Sequence, residues 1–288
     1  YINKMDRIGA NFAHCVKGIR ERLGATVVMC QVPLGSQDEF VGMVDLVAGA
    51  AYLWHSSDKD SQWEVIPLDQ VRSRFKFVVT RDDEYLDNLQ KMREEMIETA
   101  LAMDDDAFMR FVETGEFEVA KLKECIRKGT VAGKLVPVLC GSSFKNKGVQ
   151  QLLDAVVDYL PYPGENGGIS MVDVDGNVIG KQEVRDDAPV RALAFKVIND
   201  QFGTLTFTRI YSGVIKKGDT LMNVTRGKKE RVGRIVEVQA NTTKDIDEAR
   251  AGDICAFVSM KDTETGDSLC DPAHPVLLER MRFPDPVI

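Results

Sequence analysis

The sequence predicts a multidomain chain, α/β in its first part and all-β in its second. Three observations carry this. The 288 residues exceed what one small core organises. Before Pro161, apolar residues recur at helical spacing between short β-rich runs; from Val190 the period is two, with no helical stretch between the runs. Finally, "KLVPVLCGSS" (134–143) is a continuous apolar run leading into the helical pattern "KGVQQLLDAVVDYLP" (147–161), as a buried parallel strand leads into its helix.

The elements follow in order. The chain opens on Tyr1 and Ile2, then turns polar at once in Asn3-Lys4-Met5-Asp6. Asn11–Leu23 reads as a helix, with Phe12, Cys15, Val16, Ile19 and Leu23 on one stripe and Gly24 as its stop. "TVVMCQVPLG" reads as one strand, and "FVGMVDLVAGAAYLW" and "QWEVIPL" as further strands about the polar turn "HSSDKDS". From Val71 to Arg127 the pattern is helical. Leu89, Met92, Met96 and Ala100 form one stripe, with Glu94, Glu95 and Glu98 off it. Two short helices follow, in "DDDAFMRFVE" and "EVAKLKECIRKG". In the helix before Pro161, the stripe of Val149, Leu152, Leu153, Val156, Val157 and Leu160 is expected to face inward.

Residues 163–187, rich in Gly, Pro and Asp, read as a linker with at most one hairpin at Asp175-Gly176. Beyond it, "RALAFKVIN", "LTFTRIYSGVI", "DTLMNV", "ERVGRIVEVQ", "DICAFVSM" and "HPVLLERMRF" read as strands of a closed β-barrel or sandwich.

Apolar residues make up 44% and charged residues 28%, ordinary values for packed cores. No apolar run approaches the roughly 18 residues that span a bilayer, and no secretory leader is recognisable, so no membrane partner is expected. The six cysteines, with no CxxC pair, read as reduced, buried thiols of a cytoplasmic protein. His14, His55 and His274 have no metal spacing, and no metal site is expected. The net charge of −8 argues against a simple nucleic-acid coat, but it is uneven. From Ala188 onward there are 15 basic and 14 acidic residues; before it, 22 and 31.

Chemistry concentrates in two short motifs. An aspartate at a strand's carboxyl end, such as Asp6 of "NKMD", can accept two parallel hydrogen bonds. Guanine offers that pair from N1–H and its amine, whereas adenine presents a lone pair where N1–H would be. Lys4 can lay its stem over a base, and Asn3 can bridge neighbouring loops. Taken alone, the four residues equally suit a capped helix start. "CGSS" (140–143) is a turn whose backbone N–H groups can meet guanine O6; taken alone, it is a generic turn. Together the two motifs fit the crevice at the carboxyl ends of a parallel sheet.

"NKMDRIGANF", "GSSFKNKGVQQLLDAVVDYLPYP", "LTFTRIYSGVIKKGDTL", "RAGDI", "TGDSLCDP" and "ERMRFPDPVI" together resemble the elongation factor G family of translational GTPases, from the first residue to the last. The resemblance assigns guanine recognition to Asn3, Lys4 and Asp6, and to Gly141, Ser142 and Ser143. It implies the C-terminal remnant of a P-loop-type GTPase domain (1–25 and 132–162) with an α+β insert (26–131), then the 163–187 linker and a translation-factor β-barrel (188–288). It also implies GTP or GDP with Mg²⁺ as cofactor of a longer parent that acts in ribosomal translocation. The barrel would face small-subunit ribosomal RNA, and the insert would meet the ribosomal stalk protein. Arg226, Lys228, Lys229, Arg231 and Arg234 are the candidate RNA contacts; a solvated hairpin is the plain alternative. Nothing demands more than a monomer.

The family's phosphate loop, G-x-x-x-x-G-K-[ST], does not occur. "GTVAGKL" has the wrong spacing, "GVIKKGDT" has Asp where Lys is needed, and "DVDG" (173–176) lies in the linker. The expectation is therefore an inactive central fragment that reads the base, with no catalytic residue of its own and no nucleotide held tightly. The two Asn-x-Thr matches, at Asn223 and Asn241, are expected to be empty. Ser143 stands where the family has Ala, and "NDQFGTLTF" is about a residue short. Both, with a linker that is not closely matched, suggest a divergent second copy, with ribosome recycling as the alternative role; the missing phosphate loop favours a non-catalytic ribosome-docking module for the chain by itself.

Overall fold

The structure, a computed structural model, describes residues 1–55, 62–74, 83–200, 203–240 and 242–279. The turn at 56–61, residues 75–82 of the helical pattern, the Asn241 sequon and residues 280–283 of the last expected strand lie outside them. Chain contacts divide the protein into two compact units, Tyr1–Leu160 and Pro161–Ile288.

In the first unit, helix α1 (Phe12–Leu23) starts where the Asn11 side chain accepts from the His14 N–H (2.8 Å) and stops at Gly24. It buries Phe12 and Val16, while Cys15 and Leu23 of the expected stripe are exposed. "TVVMCQVPLG" is two strands, not one. Strand β1 (Val27–Met29) pairs in parallel with β6 (Val136–Val138), whereas β2 (Gln31–Leu34) pairs antiparallel with β3 (Gly42–Asp45). Cys30 is the switch: its N–H donates to Val138 O (3.0 Å) and its C=O accepts from Leu46 N–H (2.9 Å).

The long run "FVGMVDLVAGAAYLW" is likewise a hairpin, β3 with β4 (Ala50–Trp54), which β5 (Trp63–Pro67) extends to a four-stranded meander. Asp45 makes the turn, its Oδ1 accepting from the N–H groups of Val47 and Ala48, each at 2.9 Å. A long apolar run shows that residues are buried, not where the chain reverses.

Helices α2 (Leu68–Arg74), α3 (Asp83–Leu101), α4 (Asp105–Thr114) and α5 (Val119–Val131) follow. The α3 stripe holds, with Leu89, Met96, Ile97 and Ala100 in the core. Helix α5 buries Leu122, Cys125 and Ile126. Helix α6 (Val149–Tyr159) departs from expectation. It buries Gln151, Ala155 and Tyr159, while Leu153, Val156, Val157 and Leu160 are exposed. The helical period locates an apolar stripe but not the neighbour. Here the neighbour is α5, tied on by Lys123 to Asp158 (2.7 Å) and by Arg127 Nη1 to Leu160 O (2.7 Å). The core of this unit runs unbroken from Met5 to Tyr159, across the boundary expected at 25/26.

The second unit is antiparallel sheet. The stretch read as a linker carries β7 (Ile169–Val172) and β8 (Val178–Gln182), with β19 (Leu277–Leu278) on the far side of β7. The Asp173–Gly176 match is the turn of this hairpin. Eight further strands form one sheet in the order β13-β12-β18-β9-β10-β17-β14-β15. These are β9 (Arg191–Asp200), β10 (Gly203–Ser212), β12 (Thr220–Asn223), β13 (Lys228–Arg231), β14 (Arg234–Gln239), β15 (Thr242–Ile246), β17 (Ile254–Val258) and β18 (Ser268–Cys270). Separately, β11 (Val214–Lys216) pairs with β16 (Glu248–Arg250). The core is Ala192, Ile210, Ile215, Leu221, Ile235, Phe257 and Leu269. Strands β15 and β16 escape a sequence reading because "TTKDIDEAR" is polar and mostly exposed. Among the described residues, no helix is long and apolar enough to cross a membrane.

Candidate nucleotide-base site

Two chain segments far apart in sequence meet at the carboxyl ends of neighbouring parallel strands. Ile2 bridges Cys140 in parallel, its N–H donating to Leu139 O (2.8 Å) and its C=O accepting from Gly141 N–H (3.1 Å). This brings "NKMD" beside "CGSS". The Asn3 Oδ1 accepts from the Ser143 N–H (3.0 Å) and from the Lys4 N–H (2.8 Å). Lys4 lies in the left-handed region (φ 64°) and is exposed, and the Met5 N–H donates to Gly141 O (3.1 Å). Asp6 Oδ1 accepts from Ser142 Oγ–H at 2.6 Å, a short charge-assisted bond that fixes the carboxylate's rotation.

The second loop is held from within. The Ser142 N–H donates to Lys147 O (2.9 Å), and the Lys147 N–H returns to Ser142 O (3.0 Å). Gly141 cannot carry a side chain, because a Cβ there would sit 2.3 Å from Tyr1 Oη and 2.4 Å from Lys147 O. All six residues read from the sequence as guanine-binding therefore gather at one place. Sequence reasoning did not find Tyr1 or Lys147. Tyr1 acts by filling the space beside a glycine and Lys147 through its backbone, and neither role has a motif.

The basic residues of the second unit have mostly chosen partners. Arg226 Nε meets the buried Asp267 (2.8 Å), and its Nη2 meets Glu264. Lys228 meets Asp262 (2.6 Å), and Arg234 forks onto Asp245 (3.0 and 3.1 Å). Arg231 Nε donates to Gly218 O (3.2 Å). Among the described residues, Lys229 has no ion-pair partner.

Comparison with known proteins follows the same division. A family model described as "Elongation factor Tu GTP binding domain" matches residues 1–162, and one described as "Elongation factor Tu domain 2" matches 203–270. The chain belongs to the translational GTPases. Curated relatives of this translational GTPase chain include "Elongation factor G" of Ruegeria pomeroyi, 48% identical, and "Elongation factor G 1" of Synechocystis sp., 46% identical. "Elongation factor G 2" of Trichodesmium erythraeum is 45% identical. Each alignment covers 100% of this chain and 40% of the relative, so the chain spans well under half of their length. A solved structure from Thermus thermophilus shares the fold, with a TM-score of 0.72 at 23% identity over 99% of this chain and 38% of that one.

Proposed function

We propose that the chain is the guanine-reading part of a ribosome-dependent GTPase that promotes translocation in protein synthesis. The observation that carries this is the Asp6–Ser142 bond beside the Asn3–Ser143 bond, which joins the two recognition motifs at one strand-end crevice. In this reading Asp6 accepts guanine N1–H and the exocyclic amine. Lys4 covers the base with its stem. The Ser143 N–H turns from Asn3 Oδ1 toward O6. Ser143 in place of Ala leaves this intact, because the backbone carries the contact.

Bound GTP and Mg²⁺ supply the phosphoryl chemistry. The residues here fit the base alone. No phosphate-loop motif occurs in the sequence, and none of these residues would hold the phosphates or the metal. The second unit, read as a translation-factor β-barrel, would offer Lys229 and Arg231 to small-subunit ribosomal RNA first. Arg226, Lys228 and Arg234 would have to exchange a carboxylate for a phosphate. The insert (26–131) would take the stalk protein, and the site of action would be the cytoplasm. Relatives numbered 1 and 2 match alike, at 46% and 45%, and favour neither role, so the recycling alternative stands on Ser143, the shortened "NDQFGTLTF" and the loosely matched linker.

The test is amide NMR of this chain with guanine, adenine and xanthine nucleotides. The useful range is above about 1 mM, where ~4 kcal/mol of base recognition becomes visible. GDP should shift Asn3–Asp6 and Gly141–Ser143 more than ADP does. Asp6→Asn should transfer the preference to xanthine, because an amide offers one donor and one acceptor where O2 replaces the amine. Equal response to all bases would overturn the reading.

A further inference from the structure

The two base-reading loops are joined a second time, from behind, by a loop that touches no expected ligand. Between β2 and β3 the chain makes a short turn of 3-10 helix, Gln37–Glu39. The Gln37 N–H donates to Met5 O at 2.7 Å, inside "NKMD". Three residues on, Phe40 O accepts from Lys147 Nζ at 3.2 Å, at the base of the "CGSS" loop. Lys147 is only 8% exposed, and its ammonium lies 6.0 Å from the centre of the Phe40 ring. Phe40 is buried in the first core and lies against Trp54, with ring centres 6.5 Å apart.

The loop is built at conformational cost. Gln37 sits at φ 58°, as Lys4 does at 64°, in a region that non-glycine residues rarely adopt. Gly35 sits at φ 77°, and a Cβ there would lie 1.9 Å from Glu39 O. Such strain persists where surrounding structure over-determines it, and it clusters at functional sites. Burying a lysine whose one short bond is to a carbonyl is likewise costly unless the position does something.

We propose that the Gly35–Phe40 loop is a positioning clamp for base recognition, with Lys147 as its positioning residue. It sets the spacing between Asp6 and the Ser143 amide, and so sets how well guanine is told from other purines. This rests on reading the crevice as a guanine site. Burial and the nearby Lys145 depress the Lys147 pKa and Asp6 opposes them, so the ammonium also lies within electrostatic reach of the recognition carboxylate.

The test compares the GDP-to-XDP affinity ratio, by amide NMR, in the wild-type chain, Lys147→Met, Lys147→Arg and Gly35→Ala. Variants are compared once their amide spectra show a folded first unit. Lys147→Met should cut the ratio by about tenfold, the size of a lost bond to a charged group, and Lys147→Arg should restore most of it. Gly35→Ala keeps the Lys147 charge but displaces the loop, and should cut the ratio as well. A purely structural role would lower the melting temperature and leave the ratio where it was. An unchanged ratio in both Lys147→Met and Gly35→Ala overturns the clamp while leaving the base site standing. A wild-type chain with no guanine preference overturns both.

Discussion

Asp6 and Asp45 show how the same side chain takes opposite parts within one unit. Asp6 is half-buried at the crevice, held by a hydroxyl. Asp45 holds a turn, and burial pushes its carboxyl pKa up against the pull of the Ala48 and Val47 N–H groups and of Lys123 and Arg93. Asp45 therefore holds its proton more firmly in the folded chain than in the unfolded one. Its contribution is fully present below the ordinary carboxylate range and is lost as pH rises through the raised value. Asp45→Asn keeps an acceptor for both N–H groups and cannot titrate. The melting-temperature difference between Asp45→Asn and wild type should therefore grow in the variant's favour from about pH 4 to about pH 7. A difference that stays flat would assign the shift to another group. At this scale the sequence was legible where chemistry has a signature. The motifs singled out Asn3, Asp6 and Ser142, which the fold brings together. They could not single out Gln37 and Phe40, because these act through backbone atoms that every residue carries.

Elements were legible by period and illegible by partner. The α3 stripe and the Gly24 stop were foreseen, because both are local. Helix α6 was assigned the wrong inward face, and "TVVMCQVPLG" hid a change of sheet at Cys30, because both depend on neighbours distant in sequence. Paired substitutions measure the difference. Leu153→Gln, on the exposed side of α6, should change stability by no more than about 0.5 kcal/mol. Leu122→Ala, on the fully buried face of α5, should cost about 2–5 kcal/mol in denaturant unfolding of the first unit. If the Leu153 change matched the Leu122 change, the inward face read from the period would be right after all.

For the molecule as a whole, the buried clusters share no residue. One runs from Met5 to Tyr159, and the others from Ala192 onward. Phe257, with no exposed surface, sits in the second. Phe257→Ala should speed amide exchange through β9, β10 and β17 while leaving exchange at Val27–Met29 and Val136–Val138 as in wild type; loss of protection in both regions would show the cores to be coupled. The split into a mixed and an all-β half was visible in the change of period alone, and strands β15 and β16 were not, because exposed polar strands carry no alternation.

The Asp6–Ser142 bond also sets a timetable. It joins residues 136 positions apart, and the buried apolar residues described between them belong to one core. Closing a loop of that length costs roughly 4 kcal/mol of chain entropy, which local helices such as α1 never face. Contacts of such high order form late. The crevice between Asn3–Asp6 and Gly141–Ser143 is thus expected among the last features of the first unit to form during refolding. Substitutions anywhere between its two halves, touching nothing in it, will change how soon it appears.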